Sequence, residues 1–190
     1  MTDPVALFNE WFEEARAAGV EVPEAMILAT ADAEGRPSAR MLLLKSADER
    51  GFTFFTGYES RKGRELEANP RAALVFYWRP LGRQVRVEGT VRRLPAVESE
   101  AYWATRPPRS RAAAAASRQS EPLESLEELE AESERLLAES GGEVERPGRW
   151  GGYLLEPDAI EFWQHRDDRL HDRTRYTRAR EGWTGRRLSP

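Results

Sequence analysis

The chain has 190 residues, of which 39% are hydrophobic and 33% charged, so it is long and apolar enough to bury one core. It contains no cysteine and two histidines, which excludes disulfides and thiol nucleophiles and disfavours a metal site. Acidic residues outnumber basic ones, 33 to 29, and no run approaches the roughly 20 apolar residues of a membrane span. We therefore expect a cytoplasmic single domain over residues 1–190, with neither nucleic acid nor a membrane as partner.

The first half of the chain predicts one helix followed by a meander of strands. Asp3 and Pro4 are typical of a helix start, and Gly19 marks the end of that helix. From Ala25 onward the hydrophobic pattern is that of short strands separated by turn residues. The predicted strands are Ala25–Ala33, Ser38–Ser46, Phe52–Gly57, Ala72–Trp78 and Arg83–Val91, with a short helix over Ser60–Ala68.

The second half predicts two helices and then strands again. Helices are expected over Pro95–Thr105 and Pro122–Ser140, whereas Ala112–Ala116 fits either a loop or a helical turn. The further predicted strands are Trp150–Leu155, Ala159–Gln164, Arg173–Arg178 and Trp183–Leu188. This order of elements predicts a mainly β (α+β) fold, a split antiparallel β-barrel with peripheral helices. Because no glycine-rich nucleotide motif is present, any nucleotide must be held in another way.

Positive charges beside apolar strands indicate where anionic ligands bind. Of 29 cationic residues only Lys45 and Lys62 are lysine, a compact point charge for which arginine is a poor substitute. Arg40–Lys45 encloses an apolar run between two cations, and strand alternation sends its two ends to opposite faces. Ser60–Gly63 combines cations with the free N–H groups of a helix start, which suits a phosphate. Ordinary surface charges at strand ends are the alternative explanation for each stretch.

Two further groups of candidates lie later in the chain. Arg166–Arg173 places His171 among arginines and carboxylates, which is typical of acid–base chemistry, and a solvated hairpin is the alternative. Tyr102, Arg106 and Ser110 are spaced by four and would share one side if the helix extended past Ala104, although Pro107 makes their last turn a loop. Converging, their two hydroxyls and guanidinium would suit a phosphate.

With these motifs the chain resembles the pyridoxine 5′-phosphate oxidase family from Asp3 to Pro190. The matching stretches are, in order, Arg40–Lys45, Gly51–Thr56, Ser60–Gly63, Arg83–Gly89, Glu98–Ser99 with Tyr102, Arg106–Pro107, Gln119–Ser120, Trp150–Tyr153, Ile160–Gln164, Arg169–Arg173 and Arg187–Pro190. The resemblance implies an FMN-binding split-barrel homodimer with a C-terminal dimerisation-type region near residues 150–190. It also implies that pyridoxine 5′-phosphate and pyridoxamine 5′-phosphate are oxidised to pyridoxal 5′-phosphate, with oxygen as the acceptor and hydrogen peroxide as a product.

The resemblance further implies which residues form the site. FMN would be bound by Arg40, Met41, Leu42, Leu43, Leu44, Lys45, Phe55, Thr56, Arg61, Lys62, Gln84, Gln119, Ser120, Trp163 and Arg173. The substrate would be bound by Lys45, Tyr102, Arg106, Ser110, Arg169, Leu170 and His171. Of these, Arg169 and His171 would be the catalytic residues. Two phosphates, one on the cofactor and one on the substrate, require two separate cationic clusters.

Three features depart from the family pattern. Arg111 and five alanines replace a Gln-Ile-Gly-Ala-Trp-like stretch between Ser110 and Ser117. His165, Asp167 and Asp168 occupy a turn that often carries glycine. Much of an Arg- and Tyr-bearing amino-terminal arm is missing, so looser closure over the substrate is expected. The alternatives are a flavin oxidase of the same fold with a phenazine-type substrate, or a non-catalytic protein that binds FMN or pyridoxal phosphate.

Overall fold

The computed structural model describes residues 3–190; Met1 and Thr2 lie outside the described part. The described residues form five α-helices and nine strands, with a short 3-10 turn over Arg79–Leu81. The helices are α1 (Pro4–Ala17), α2 (Arg61–Ala68), α3 (Ala96–Thr105), α4 (Pro108–Ala116) and α5 (Leu126–Glu139). The strands are β1 (Ala25–Ala31), β2 (Pro37–Leu43), β3 (Ser46–Asp48), β4 (Gly51–Gly57), β5 (Arg71–Trp78), β6 (Arg83–Arg93), β7 (Trp150–Gln164), β8 (Asp172–Arg178) and β9 (Trp183–Arg187).

All nine strands belong to one antiparallel sheet, which is curled into a half-barrel as the split-barrel prediction requires. The order is β2-β1-β5-β6-β7-β4-β3, and β8 and β9 branch from β7. β7 pairs with β4 over its first residues and with β8 over its last, while β6 runs along most of its length. Strands from both ends of the chain therefore share one sheet, and the single domain over the whole chain stays a prediction.

The long strand β7 differs from the prediction of two strands, Trp150–Leu155 and Ala159–Gln164, with residues 156–158 between them. The pairing with β6 instead continues through a register shift opposite Glu88 and Gly89. Asp158 is the extra residue, because Gly89 pairs with Pro157 and Glu88 with Ala159. A proline is tolerated beside such a bulge because the ladder of hydrogen bonds is already interrupted there. The chain thus keeps one continuous strand that carries residues to two opposite ends of the molecule.

Other elements also differ from the prediction in their boundaries, and one open alternative is settled. The predicted strand Ser38–Ser46 ends at Leu43 because the chain then leaves β1: the Lys45 N–H donates to Thr53, and Ser46 begins β3, which pairs with β4. α5 begins at Leu126 rather than at Pro122. Ser125 caps the helix there, because its hydroxyl accepts a hydrogen bond from the Glu128 N–H at 3.1 Å. The alanine stretch is helical and forms most of α4.

The inner face of the sheet forms the core, and α1 closes it. Asp3 caps this helix by accepting a hydrogen bond from the Val5 N–H at 3.0 Å. Phe8 is fully buried, and its ring centroid lies 4.9 Å from those of both Phe52 and Phe76 in edge-on contacts. Burial of each such side chain contributes about 1.5–3 kcal/mol. The aromatic side chains of α1 therefore pack on the core of the sheet.

The opposite face of the sheet is here called the outer face. One row of paired residues runs across it, one residue from each of β2, β1, β5, β6 and β7: Met41, Ile27, Val75, Arg86 and Glu161. On its β2–β5 side apolar side chains are exposed, Met41 to 61% and Tyr77 to 58%. On its β6–β8 side charged side chains replace them. No helix among residues 3–190 has the length and apolar character needed to cross a lipid bilayer.

Candidate active site

Two adjoining clefts open beside β2. Their volumes are about 1180 Å³ and about 370 Å³, and both are lined by Met41, Leu42 and Gln119. The larger cleft extends to β4, α3 and α4, and the smaller one reaches the start of α2. A continuous depression of this size holds a nucleotide-sized ligand together with a smaller molecule.

Lys62 supplies a buried positive charge at the junction of the clefts. It is 5% exposed, and its ammonium donates to Thr56 Oγ1 at 3.0 Å, Ser60 Oγ at 3.1 Å and Gln119 Oε1 at 3.1 Å. All three acceptors are neutral. Burial, and secondarily the charge of Arg40, lower the pKa of Lys62 to about 8. A buried ammonium without a carboxylate partner is a site that favours an anionic ligand.

Arg40, Arg61 and Lys62, here called the cation cluster, surround the smaller cleft. A buried carboxylate, Glu65, lies among them and accepts from Arg40 Nη2 at 3.1 Å and from Arg61 Nε at 2.9 Å. Burial tends to raise the pKa of Glu65, but hydrogen bonds from Ser38, Thr30, Arg61 and Arg40 outweigh it and lower the pKa to about 2. The cation cluster and Glu65 together therefore carry three positive charges and one negative charge.

Arg106 forms a second cationic point, in the larger cleft. Its guanidinium carbon lies 5.0 Å from the ring centroid of Trp103 and 4.6 Å from that of Trp150. Burial lowers the pKa of Arg106, and its Nη1 is buried without a hydrogen-bond partner. Tyr102 and Ser110 line the same cleft. An unsatisfied guanidinium nitrogen beside two hydroxyls suits a phosphate or carboxylate.

These three residues meet in a way that helical spacing alone does not explain. Tyr102 belongs to α3, Arg106 ends that helix, and Ser110 belongs to α4. The prolines between the two helices break the continuous helix on which the four-residue spacing depended, yet both helices face the larger cleft. Lys45 completes the group, with its ammonium 5.8 Å from the ring centroid of Tyr102.

A third group of candidates lies at the far end of β7. Gln84, Trp163 and Arg173 are cross-strand neighbours on β6, β7 and β8. The His171 ring lies 4.6 Å from that of Trp163, and its Nδ1 accepts from the Arg166 N–H at 3.1 Å. Together with Arg169 and Leu170 of the same turn, these residues are here called the β7–β8 cluster.

The predicted site residues thus divide into two separate groups. Fourteen of them line the clefts: Arg40, Met41, Leu42, Leu43, Lys45, Phe55, Thr56, Arg61, Lys62, Tyr102, Arg106, Ser110, Gln119 and Ser120. The β7–β8 cluster lines neither cleft; Trp150 at the cleft end of β7 and Trp163 stand about 40 Å apart along the strand. Leu44 also lines neither, because its side chain is buried in the core.

Backbone strain coincides with both groups. Within residues 3–190 the only non-glycine residues with positive φ are Ser120, at 74°, and Arg169, at 64°. This conformation is unfavourable for residues with a side chain, and it persists where the surrounding structure fixes it. Both residues are among the site residues that the family resemblance implies.

Sequence reasoning missed two buried carboxylates. Glu65 lies four residues after Arg61 on α2, the spacing of a helical ion pair. Glu161 is 2% exposed and accepts from Arg86 at 2.6 Å and from Arg173 Nε at 2.9 Å. An acidic residue inside an apolar strand was the available signal for Glu161, and the four-residue spacing was the signal for Glu65.

Comparison with known proteins identifies the family. Residues 12–138 match the family model described as pyridoxamine 5′-phosphate oxidase, and residues 150–190 match the pyridoxine 5′-phosphate oxidase C-terminal dimerisation region. The chain belongs to the pyridoxine/pyridoxamine 5′-phosphate oxidase family. Curated members from Rubrobacter xylanophilus and Paraburkholderia phymatum are 59% and 56% identical to it, over 99% of the chain and 87% and 89% of their own lengths.

Solved structures of the oxidase family's fold agree with this result. PhzG from Burkholderia lata, in complex with tetrahydrophenazine-1-carboxylic acid, is 39% identical with a TM-score of 0.97, covering 100% of this chain and 94% of PhzG. An FMN-binding protein from Nostoc punctiforme, 18% identical with a TM-score of 0.76 over 95% of this chain and 96% of its own, shares the fold. The protein is therefore an oxidase-family enzyme with FMN as its cofactor. The buried Lys62 and the unsatisfied Arg106 fit the two anionic groups that such an enzyme must bind.

Proposed function

We propose that the chain is the FMN-dependent oxidase that forms pyridoxal 5′-phosphate from pyridoxine 5′-phosphate and pyridoxamine 5′-phosphate. The observation that carries the proposal is the pair of separate anion sites, one at Lys62 and one at Arg106, on a single depression. Two phosphorylated molecules binding side by side need two such sites. Pyridoxine 5′-phosphate and oxygen give the aldehyde and hydrogen peroxide; the amine also consumes water and releases ammonia.

Each anion site has a separate task in this proposal. The cation cluster binds the phosphate of FMN, with Thr56, Gln119 and Ser120 beside it. Lys45, Tyr102, Arg106 and Ser110 bind the phosphate of the substrate and so orient the rest of that molecule. Bound FMN supplies the acceptor for the hydride that leaves C4′ of the substrate.

The remaining site residues are provided by a second copy of the chain. Across the outer face Met41 and Glu161 lie four strand spacings apart, about 19 Å, with exposed apolar side chains between them. An apolar patch of this kind is typical of an interface. In a two-fold dimer formed through this face, the β2 side of one protomer's outer face meets the β7 side of its partner's outer face, and symmetry creates two equal sites. The match of residues 150–190 to a dimerisation region supports this assembly.

Arg169 and His171 complete the composite site from the β7–β8 cluster. Because His171 Nδ1 accepts a backbone hydrogen bond, its neutral ring carries the proton on Nε2, which is free to face the substrate. Arg169 contributes a positive charge from a strained turn. In this proposal Arg169 orients the pyridine ring, and His171 holds its Nε2 proton against the oxygen or nitrogen on C4′.

An assay in air tests the reaction. We expect the FMN-loaded protein to convert pyridoxine 5′-phosphate to pyridoxal 5′-phosphate, with one hydrogen peroxide formed per aldehyde. Arg169→Ala and His171→Ala should lower kcat about 10²-fold while retaining FMN, since general acid–base groups contribute on that order. His165→Ala, which removes the other histidine, is the matched control. An FMN-loaded protein that forms no aldehyde would contradict the proposal.

Arg106 provides a test of the substrate phosphate site. Arg106→Ala should raise KM for pyridoxine 5′-phosphate about 10- to 100-fold, because charge-assisted hydrogen bonds contribute about 1.5–3 kcal/mol. Turnover of unphosphorylated pyridoxine should be unchanged. Arg109→Ala is the control, since its side chain is 80% exposed and pairs with Glu134. Equal effects on both substrates would show that Arg106 does not contact the phosphate.

A phenazine-type substrate is the second candidate function. It is favoured by the likeness to PhzG and by the volume of the larger cleft, about 1180 Å³, because an arginine also binds a carboxylate. The same assay with a dihydro- or tetrahydrophenazine carboxylate distinguishes the two. A kcat/KM above that for pyridoxine 5′-phosphate would assign the chain to the phenazine-type oxidases.

A further inference from the structure

The cation cluster contains a buried carboxylate that the proposed binding of FMN does not use. Glu65 is 5% exposed and belongs to α2, the helix that also carries Arg61 and Lys62. A carboxylate so close to a phosphate site repels the ligand, so its presence there requires a physical reason.

The contacts of Glu65 supply that reason. Its Oε2 accepts from Thr30 Oγ1 at 2.5 Å, Ser38 Oγ at 2.6 Å and Arg40 Nη2 at 3.1 Å, while Oε1 accepts from Arg61 Nε at 2.9 Å. The same two hydroxyls accept from Arg40, at 2.5 Å each. One carboxylate therefore links an arginine on β2 to an arginine on α2, directly and through two neutral residues.

This network limits what the arginines can do. Long side chains lose rotamer freedom when they bind a ligand, and a carboxylate that holds them beforehand reduces that cost. Three cations and Glu65 give a net charge of +2, which matches a phosphate dianion. A cluster without Glu65 would attract anions more strongly at long range but would not hold its arginines in one geometry.

We infer that Glu65 is a positioning residue that holds Arg40 and Arg61 in place for the 5′-phosphate of FMN and so sets the preference for FMN over riboflavin. The inference rests on the proposed placement of FMN at the cation cluster. It concerns affinity for the phosphate alone, because Glu65 lines neither cleft and faces the ligand only through its arginines.

Measuring how the flavin-free full chain binds two flavins tests the role inferred for Glu65. Titrations with FMN and with riboflavin, followed by quenching of flavin fluorescence, give both affinities. Glu65→Gln should weaken the binding of FMN about 10-fold or more, as expected for a lost charge-assisted contact. The affinity for riboflavin should change by less than about 3-fold. Glu13→Gln removes an exposed carboxylate that also pairs with an arginine, and serves as the control.

The outcomes are distinct. If the wild-type chain binds FMN and riboflavin equally, the proposed placement of FMN fails. If the wild type prefers FMN and Glu65→Gln keeps that preference, or weakens both flavins alike, Glu65 is not a positioning residue. If Glu65→Gln does not fold, Thr30→Val removes one link without changing side-chain size. Thr30→Val should then lower the affinity for FMN a few-fold and leave the affinity for riboflavin unchanged. An unaltered affinity for FMN overturns the inference.

Discussion

Lys62→Met should yield a protein that no longer retains FMN through purification. We expect the dissociation constant for FMN to rise about 10²- to 10³-fold, because removing one partner of a buried charge pair costs about 3–5 kcal/mol. In the wild type the ammonium is 5% exposed and contacts neutral acceptors, so a bound phosphate would be its first anionic partner in that pocket. Equilibrium titration followed by flavin fluorescence measures the change.

The same variant should stabilise the flavin-free protein near neutral pH. Burial holds the pKa of folded Lys62 at about 8, against 10.5 in the unfolded chain, so below pH 8 the folded state carries an unfavourable buried charge. In the wild type this penalty is relieved as the pH rises from about 8 to about 10.5, by up to about 3 kcal/mol. Lys62→Met should lack that rise in the free energy of unfolding.

Urea unfolding of both flavin-free proteins at pH 7 and pH 9.5 measures this difference, and Arg71→Met is the control for loss of an exposed cation. FMN affinity of the wild type should also fall above pH 8, as the free protein loses the Lys62 proton. A Lys62→Met protein that binds FMN normally would show that the phosphate lies elsewhere. Identical pH dependence of unfolding in both proteins would show that Lys62 is not desolvated.

Hybrid dimers of two inactive variants should recover about half of the wild-type activity, because symmetry leaves one of two composite sites intact. Lys62→Met affects the cleft group and His171→Ala affects the β7–β8 cluster, and each homodimer carries the defect in both of its sites. In the hybrid, one site receives both defects and the other receives none. Co-expression with two different tags isolates the hybrid, and the peroxide assay measures it.

A same-side pair provides the control for this experiment. Lys62→Met and Arg106→Ala both lie in the clefts, so their hybrid has one defect in each site and should stay as inactive as the homodimers at low substrate concentration. If Lys62→Met and His171→Ala also fail to complement each other, the two residue groups act within one protomer. In that case the proposed two-fold interface through the outer face is wrong.

Local chemistry in the sequence determined most of the fold and many of the residues that line the two clefts. Capping by Asp3 and alternation along Arg83–Val91 depend on neighbouring residues, so they predict α1 and β6 correctly. The two lysines and the motif at Ser60–Gly63 likewise indicate anion-binding sites, because a charge beside apolar residues requires a partner wherever the chain folds.

Tertiary structure alone decided what depends on residues distant in the chain. The sequence predicts two strands separated by residues 156–158, but pairing with β6 keeps β7 continuous through a bulge. That long strand carries Trp150 and Trp163 to opposite ends of one protomer, so the predicted site divides into two groups. The burial of Glu65 depends on β1, β2 and α2 meeting, which no local pattern encodes. Local sequence specifies which residues need partners, whereas long-range packing determines which partners they meet.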